Sequence, residues 1–110
     1  WKKTYNGSYV DEYWGVTTTS DGFVAVGRSN SVGDEIDYTD FDSIIVKYDF
    51  NGNVLWKDIF GGSDDDSFST ITAINNGYVI IGTSYSTDGD LTGLDNEERE
   101  SIIVKYNISN

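Results

Sequence analysis

The segment Ser43-Ile44-Ile45-Val46-Lys47-Tyr48 occurs a second time, letter for letter, as Ser101-Ile102-Ile103-Val104-Lys105-Tyr106. The surrounding sequence repeats as well, because earlier residues recur at one constant spacing. The recurring pairs are Trp1 and Trp56, Gly7 and Gly62, Gly22 and Gly77, and Gly27 and Gly82. We therefore predict one domain over residues 1–110 that consists of two repeats, residues 1–55 and 56–110.

Each repeat alternates short runs of apolar residues and threonine with clusters of Gly, Asn and Asp, which is typical of antiparallel strands joined by tight turns. The pattern predicts four strands per repeat in meander order and no helix. Hairpin turns are expected at Ser20-Asp21-Gly22 and Asn75-Asn76-Gly77, with the glycine at a positive φ, and around Asn51-Gly52. The predicted strands are 13–19, 23–27, 43–49, 54–60, 68–74, 78–82 and 102–106.

The second strand of each repeat, 23–27 or 78–82, is too continuously apolar for a strand with one solvated face. We expect both faces of these strands to be covered, which a small sheet achieves only when neighbouring sheets stack against it. Radial stacking of four-stranded sheets is a β-propeller. The sequence therefore predicts an all-β fold of two four-stranded antiparallel β-propeller blades, forming a partial propeller or one protomer of an oligomeric propeller.

Composition argues against several classes of partner. The chain has 19 acidic and 7 basic residues and a formal net charge of -12, which repels nucleic-acid phosphates and anionic membranes. The basic residues are scattered and form no stripe. No apolar run approaches the roughly 20 residues that span a bilayer, so we expect no membrane insertion. With no cysteine, redox compartment cannot be inferred.

A further set of segments carries a resemblance to known proteins, namely Trp56-Lys57, 60–66, 76–82, 89–93 and 103–106. In these segments the chain resembles the bacterial seven-bladed-type β-propeller repeats of secreted and cell-surface proteins. The likeness covers nearly the whole chain and is looser in the first repeat, where Asn6 replaces the first glycine of a pair. It implies an extracellular or cell-surface location and transfers no catalytic residue.

The two ends of the repeat pattern are complementary. Trp1–Tyr5 corresponds to the predicted strand Trp56–Phe60, and no such strand follows Ile102–Tyr106. Pairing the first strand with the last blade removes two exposed sheet edges. Because two blades cannot close a ring of about four to eight, we expect a cyclic homo-oligomer, with three copies favoured over four. The alternative is a fragment of a larger propeller protein.

The residue types present restrict catalysis. Without His or Cys, the Ser-His-Asp and Cys-His arrangements and thiolate or histidine metal sites are excluded. Paired carboxylates could act as a hydrolase, but such a pair needs a defined separation across a cleft. We assign no catalytic residue, no cofactor and no metal ligand, and we expect the protein not to be an enzyme.

Two acidic segments are candidate sites. The segment from Asp88 through Asp90 and Thr92 spaces oxygen ligands like the start of a calcium loop, but its twelfth position is Arg99 rather than Glu. A solvated acidic loop is the favoured interpretation. Asp64-Asp65-Asp66 follows Gly61-Gly62-Ser63, and we predict a turn whose side chains cap backbone amides.

Aromatic residues that differ between the repeats are better ligand candidates than those that match. Trp1 and Trp56 match, so we expect them to pack between blades. Trp14 has Ser69 as its counterpart. Tyr9, Tyr38 and Tyr85 also lie in or near the variable loops. Aromatic rings next to carboxylates suit sugars, whose C–H faces stack on rings while their hydroxyls donate to carboxylates.

These observations favour a non-enzymatic binding or scaffold module that recognises a glycan or a protein at the bacterial surface. Two alternatives remain, a purely structural repeat module and a carboxylate-based hydrolase acting in a central channel. Any specificity should lie in the loops Ser29–Phe41 and Ser84–Glu100, where the repeats diverge. The sequence does not identify ligand-binding residues or the ligand.

Overall fold

The fold is described from a computed structural model, which places residue 2 and residues 11–30, 41–61, 65–85 and 100–107. These residues form seven β-strands, and no helix occurs among them. The strands are β1 (Asp11–Thr19), β2 (Gly22–Ser29), β3 (Asp42–Asp49), β4 (Val54–Phe60), β5 (Asp66–Ile74), β6 (Gly77–Ser84) and β7 (Glu100–Asn107).

The strands form two antiparallel sheets in meander order, so each strand pairs with its neighbour in sequence. The first sheet has the order β1-β2-β3-β4 and the second has the order β5-β6-β7. The prediction of an all-β fold is confirmed, and all seven strands listed from the sequence are present. The second sheet has three described strands where four were predicted. The predicted boundary between the repeats, after residue 55, lies inside β4. The strand β4 therefore belongs to the first sheet, although most of its residues belong to the second repeat.

The turn chemistry differs in part from the prediction. Gly52 has φ 86°, as expected, and the Asp49 carboxylate accepts hydrogen bonds from the amides of Asn51 and Asn53 at 2.8 and 2.9 Å. In the turn between β5 and β6, however, Asn76 and not Gly77 has the positive φ, 64°. The prediction of a positive φ was wrong for Gly77 and also for Gly22, because these glycines are the first residues of β6 and β2.

The glycines Gly22 and Gly77 are needed for a different reason, which is close approach between strands. A Cβ at Gly22 would lie 1.9 Å from the Tyr48 carbonyl oxygen, and one at Gly77 would lie 2.2 Å from the Tyr106 carbonyl oxygen. Both oxygens belong to the neighbouring strand of the same sheet. The repeated glycines therefore allow two backbones to approach more closely than any side chain permits.

We call the two faces of each sheet front and back, so that equivalent residues of the two repeats lie on faces of the same name. The strand registers define them. The front face carries Val24, Val26 and Ile45 in the first sheet, and Val79, Ile81 and Ile103 in the second. The back face carries Val16, Ala25 and Val46 in the first sheet, and Ile71, Ile80 and Val104 in the second.

The core lies between the front face of the first sheet and the back face of the second. Its members are almost fully buried and come from both sheets, so neither sheet could form this core by itself. The first sheet contributes Val24, Val26 and Ile45, and the second contributes Phe68, Ile71, Tyr78 and Ile80. Burial of these side chains is the main term that holds the two sheets together.

Aromatic contacts extend this core to the outer strands. Trp56 of β4 stacks on Tyr106 of β7, with ring centroids 5.8 Å apart and an interplanar angle of 13°. The Tyr106 hydroxyl donates a hydrogen bond to the Asp58 carboxylate at 2.7 Å. Burial, as the larger cause, and this hydrogen bond, as the second, raise the pKa of Tyr106 to about 12. The prediction that Trp56 is a packing residue is confirmed, whereas Trp1 lies outside the described residues.

The expectation that both faces of the apolar second strand are covered is correct for one repeat only. In β2, Val24 and Val26 on the front and Ala25 on the back are all buried. In β6, Ile80 on the back is buried but Ile81 on the front is 49% exposed. The prediction was wrong for β6, because no other described strand packs against the front of the second sheet.

A tyrosine hydroxyl in the core gives a stability prediction. Tyr78 is 1% exposed, and its hydroxyl has no hydrogen-bond partner in the described structure. Its repeat counterpart is Phe23. We expect Tyr78→Phe to raise the free energy of unfolding by about 1 kcal/mol, because it removes an unpaired polar group from the core without changing the ring. Urea denaturation measures this change, and a lower midpoint for the variant would show that the hydroxyl has a stabilising partner.

Candidate functional site

The candidate site is a cleft at the junction of the two sheets. Its volume is about 200 Å³. It lies beside the ends of β1 and β2 in the first sheet and of β5 and β6 in the second. Its lining combines aromatic rings, a cation, carboxylates and hydroxyls, from Trp14, Arg28, Phe41, Asp65, Asp66, Ser67, Ser69, Thr83 and Tyr85.

A β-bulge places Trp14 at this cleft. The pairing of β1 with β2 shifts register between Tyr13 and Gly15, so Trp14 is the extra residue. The pairing of β5 with β6 shifts at the equivalent point, where Ser69 is the extra residue. A bulge changes the direction of a side chain relative to the alternation of the strand. The two bulges therefore bring to the same cleft two side chains, Trp14 and Ser69, that occupy equivalent repeat positions but differ in chemistry.

Arg28 lies between two aromatic rings. Its guanidinium carbon is 4.9 Å from the ring centroid of Trp14 and 4.0 Å from that of Phe41, which are cation–π distances. Its Nε atom donates to the Glu12 carboxylate at 3.0 Å. These contacts fix the guanidinium from three sides, although both charged side chains stay about one-third exposed. The result is a preorganised cation at the wall of the cleft.

Asp65 holds the two aromatic segments of the cleft in place. Its carboxylate accepts a hydrogen bond from the Phe41 amide at 2.8 Å, and its carbonyl oxygen accepts one from the Tyr85 amide at 2.9 Å. The Phe41 carbonyl in turn accepts a bond from the Asp66 amide at 2.7 Å. The stretch Asp65–Asp66 therefore ties the start of β3 to the end of β6.

Asp66 has a structural role that both repeats share. It is 1% exposed, and its carboxylate accepts a hydrogen bond from the Ser84 hydroxyl. The counterpart pair is Asp11 and Ser29, joined in the same way. The prediction that the acidic triplet caps backbone amides holds for Asp65, while Asp66 binds a side chain. Asp64 lies outside the described residues.

The two repeats differ at the position of the ion pair. Glu12 and Arg28 face each other across β1 and β2, and their counterparts Ser67 and Thr83 face each other across β5 and β6. The second pair forms a hydrogen bond between hydroxyls at 3.1 Å. The first sheet therefore carries an ion pair at the position where the second sheet carries two neutral hydroxyls.

Two of the four aromatic candidates from the sequence line this cleft. Trp14 is 48% exposed and Tyr85 is 44% exposed. Tyr9 and Tyr38 lie outside the described residues, as do Asp88, Asp90 and Thr92 of the acidic segment that was compared with a calcium loop. Sequence analysis missed Arg28 and Phe41. The simultaneous change of Glu12 to Ser67 and of Arg28 to Thr83 between repeats was the signal that could have found the cation.

Comparison with models of known protein families and with curated proteins gives no match for this chain. Among the described residues, no group of three or more acidic side chains is arranged to hold a metal ion. No described segment is a helix long and apolar enough to cross a membrane.

Proposed function

We propose that the chain is a pair of β-propeller blades that acts as a non-enzymatic binding module at the outside of a bacterial cell. The ligand is a neutral glycan, bound in the cleft between the two sheets. The observation that carries this proposal is the pairing of two half-exposed aromatic side chains, Trp14 and Tyr85, around a polar cleft. Different observations support the blade architecture and the glycan ligand.

Meander order and face-to-face packing support the blade architecture. Four-stranded antiparallel sheets stacked around an axis are the units of a propeller. The first strands of the two sheets approach closely, since a Cβ at Gly15 of β1 would lie 2.9 Å from the Ser69 carbonyl oxygen of β5. The resemblance of the repeats to secreted propeller proteins supports the extracellular location.

The chemistry of the cleft supports a sugar. Aromatic rings offer the flat apolar surface on which the C–H faces of a pyranose stack. The Arg28 guanidinium donates hydrogen bonds to hydroxyls, and carboxylates such as Asp65 accept them. Ser67 and Thr83 supply hydroxyls that act both as donors and as acceptors. This combination of a ring surface and mixed polar groups matches a ligand that is apolar on its faces and polar around its edge.

The volume of the cleft and the net charge of the chain restrict the class of ligand further. A volume of about 200 Å³ is below the roughly 300–1,000 Å³ of pockets for drug-sized ligands, so the cleft suits one sugar unit of a longer chain. The net charge of -12 repels polyanions. A neutral glycan presented by a larger polymer satisfies both conditions.

The test is a screen of neutral oligosaccharides, followed by titration of the best ligand against Trp14→Ala and Tyr85→Ala. We expect each variant to weaken binding by roughly tenfold, since each removes a stacking surface. Both residues are half exposed, so the variants should keep the wild-type unfolding midpoint. Isothermal titration calorimetry measures the affinity of each variant.

The matched control is Phe50→Ala, because Phe50 is 51% exposed, similar to Trp14, and is not part of the cleft lining. We expect this variant to bind like the wild type. Failure of the folded protein to bind any neutral sugar would refute the proposal. So would binding that neither the Trp14 nor the Tyr85 substitution weakens.

A further inference from the structure

The first sheet carries an ion pair at a position where the second sheet has none. Glu12 and Arg28 face each other across β1 and β2, whereas Ser67 and Thr83 join β5 and β6 at the same position through their hydroxyls. The ion pair is about one-third exposed at both ends, and such pairs add little to stability. Strand pairing therefore does not account for an arginine at this position.

The contacts of Arg28 leave one part of its guanidinium available. The Nε atom donates to the Glu12 carboxylate at 3.0 Å. The rings of Trp14 and Phe41 lie with their centroids 4.9 and 4.0 Å from the guanidinium carbon. None of the described residues accepts a hydrogen bond from either Nη atom. Because the side chain lines the cleft and is 29% exposed, the N–H donors of both Nη groups are available to a ligand.

The geometry of these donors restricts the group that they bind. The two Nη groups form a rigid planar fork, which binds two oxygen atoms that lie side by side. In a neutral sugar, such oxygens are the hydroxyls of two adjacent ring carbons. A lysine ammonium at the same place would act as a point charge and would not select for a pair of oxygens.

The charges around the cleft favour two hydroxyls over a carboxylate as the bound pair. The charge of Arg28 is already compensated by Glu12, and Asp65 adds another carboxylate to the lining. An acidic sugar would therefore enter a site with an excess of negative charge, in a chain whose net charge is -12. Two hydroxyls accept hydrogen bonds from the fork without adding charge.

We propose that Arg28 determines the specificity of the cleft by donating from both Nη groups to two adjacent hydroxyls of the bound sugar. Glu12 is a positioning residue, because it binds the Nε atom and so fixes the direction of the fork. The ligand class that follows is a neutral glycan whose bound unit carries an unsubstituted vicinal diol. This inference rests on the proposed function, since it assigns the specificity of the same cleft.

The test compares sugars that carry the diol with sugars that lack one of its hydroxyls. The probes are the methyl glycosides of glucose, mannose and galactose and their monodeoxy analogues, titrated up to roughly 50 mM, a range that detects weak binding. Chemical shifts of the protein in NMR spectra give the dissociation constants. For the best sugar, we expect two analogues, altered at adjacent carbons, each to bind the wild type roughly tenfold more weakly, because a charged donor loses its acceptor.

Two substitutions of Arg28 separate the fork from the charge. Arg28→Met keeps an apolar side chain next to Trp14 and Phe41 but has no donor, so we expect it to discriminate against both analogues by less than about threefold. Arg28→Lys keeps the charge without the fork and should discriminate against one of the two analogues at most. A purely structural role for Arg28 would weaken the binding of the parent sugar and of both analogues equally.

Glu12 is tested through the same discrimination. Glu12→Ala should reduce it to less than about threefold, because the fork loses the contact that fixes its direction. Glu12→Gln keeps an oxygen that accepts from Nε and should retain most of the discrimination. Asp21→Ala is the matched control, because it removes the carboxylate of the ion pair with Lys47, and neither residue lines the cleft. We expect this variant to discriminate like the wild type.

Four results would overturn the inference. Binding that Trp14→Ala weakens but whose discrimination survives in Arg28→Met would exclude Arg28 as the determinant and leave the glycan cleft in place. Discrimination that Glu12→Ala does not change would exclude the positioning role. Tighter binding of methyl glucuronide than of methyl glucoside would assign the fork to a carboxylate.

The fourth result is the failure of the folded protein to bind any of the three methyl glycosides. Because each of them carries adjacent free hydroxyls, this result would exclude the vicinal diol as the recognised group. The screen of neutral oligosaccharides decides the proposed function separately. Urea denaturation of every variant, with midpoints close to that of the wild type, shows that the titrations compare folded proteins.

Discussion

Gly27→Ala is expected to lower the free energy of unfolding by about 3 kcal/mol or more. A Cβ at Gly27 would lie 1.8 Å from the Glu12 carbonyl oxygen and 2.9 Å from the Tyr13 Cα atom. Both atoms belong to the backbone of the neighbouring strand β1, so no side-chain rotation relieves the clash. The pairing of β1 with β2 must separate locally to admit even one methyl group. Urea denaturation followed by circular dichroism measures the loss.

The graded control is Gly15→Ala, which tests the same substitution where the space is less restricted. Its Cβ would lie 2.9 Å from the nearest atom, the Ser69 carbonyl oxygen of the other sheet. We expect a smaller loss of stability than for Gly27→Ala, because two packed sheets separate more easily than two paired strands. Equal midpoints for Gly27→Ala and the wild type would contradict the close approach of β1 and β2.

Phe68→Ala is expected to lower the free energy of unfolding by about 3–5 kcal/mol. Phe68 is 1% exposed, lies in the core between the sheets, and contacts the ring of Phe60 at a centroid distance of 5.4 Å. The truncation removes buried apolar surface and leaves a cavity lined by both sheets. Because natural domains are stable by only about 5–15 kcal/mol, this change removes a large share of the total.

The form of the unfolding curve distinguishes a shared core from two independent units. We expect a single transition for the wild type and for Phe68→Ala, since loss of the core exposes both sheets at once. Phe50→Ala, at a 51% exposed site, should change the free energy of unfolding by less than about 1 kcal/mol. Two separate transitions, with only one shifted by Phe68→Ala, would show that the repeats fold separately.

The strands could be predicted because the sequence repeats. A segment such as Ser43–Tyr48, present twice and flanked by Gly and Asn, must adopt one local structure in two places. The observed strands mostly extend a residue or two beyond the predicted ends. Side-chain patterns define where a strand is buried, whereas its ends depend on backbone hydrogen bonds with the partner strand.

The bulges at Trp14 and Ser69 could not be predicted in the same way. A bulge inserts one residue into a ladder, and neither residue type marks that event. The role of the repeated glycines was also misjudged, because a hairpin glycine and a glycine under a neighbouring carbonyl look alike in sequence. Only the pairing of Gly22 with Asp49 and of Gly77 with Asn107 separates the two cases.

The candidate site was predictable only in part. Comparison of the repeats selected Trp14 and Tyr85, because neither has an aromatic counterpart, and both line the cleft. The cation between Trp14 and Phe41 was not anticipated, since these three side chains come from three separate parts of the chain. Their proximity depends on the register of β1, β2 and β3 within the first sheet and on the bulge at Trp14, which local patterns do not encode.

The proposed glycan cleft depends on one structural claim, that the front of the first sheet packs on the back of the second. Nuclear Overhauser contacts between side chains test this claim most directly. We expect contacts between the rings of Trp56 and Tyr106, and between those of Phe60 and Phe68, whose centroids are 5.8 and 5.4 Å apart. Absence of both contacts in the folded protein, with Trp56 instead close to Val16 or Ile59 on the back face, would contradict it.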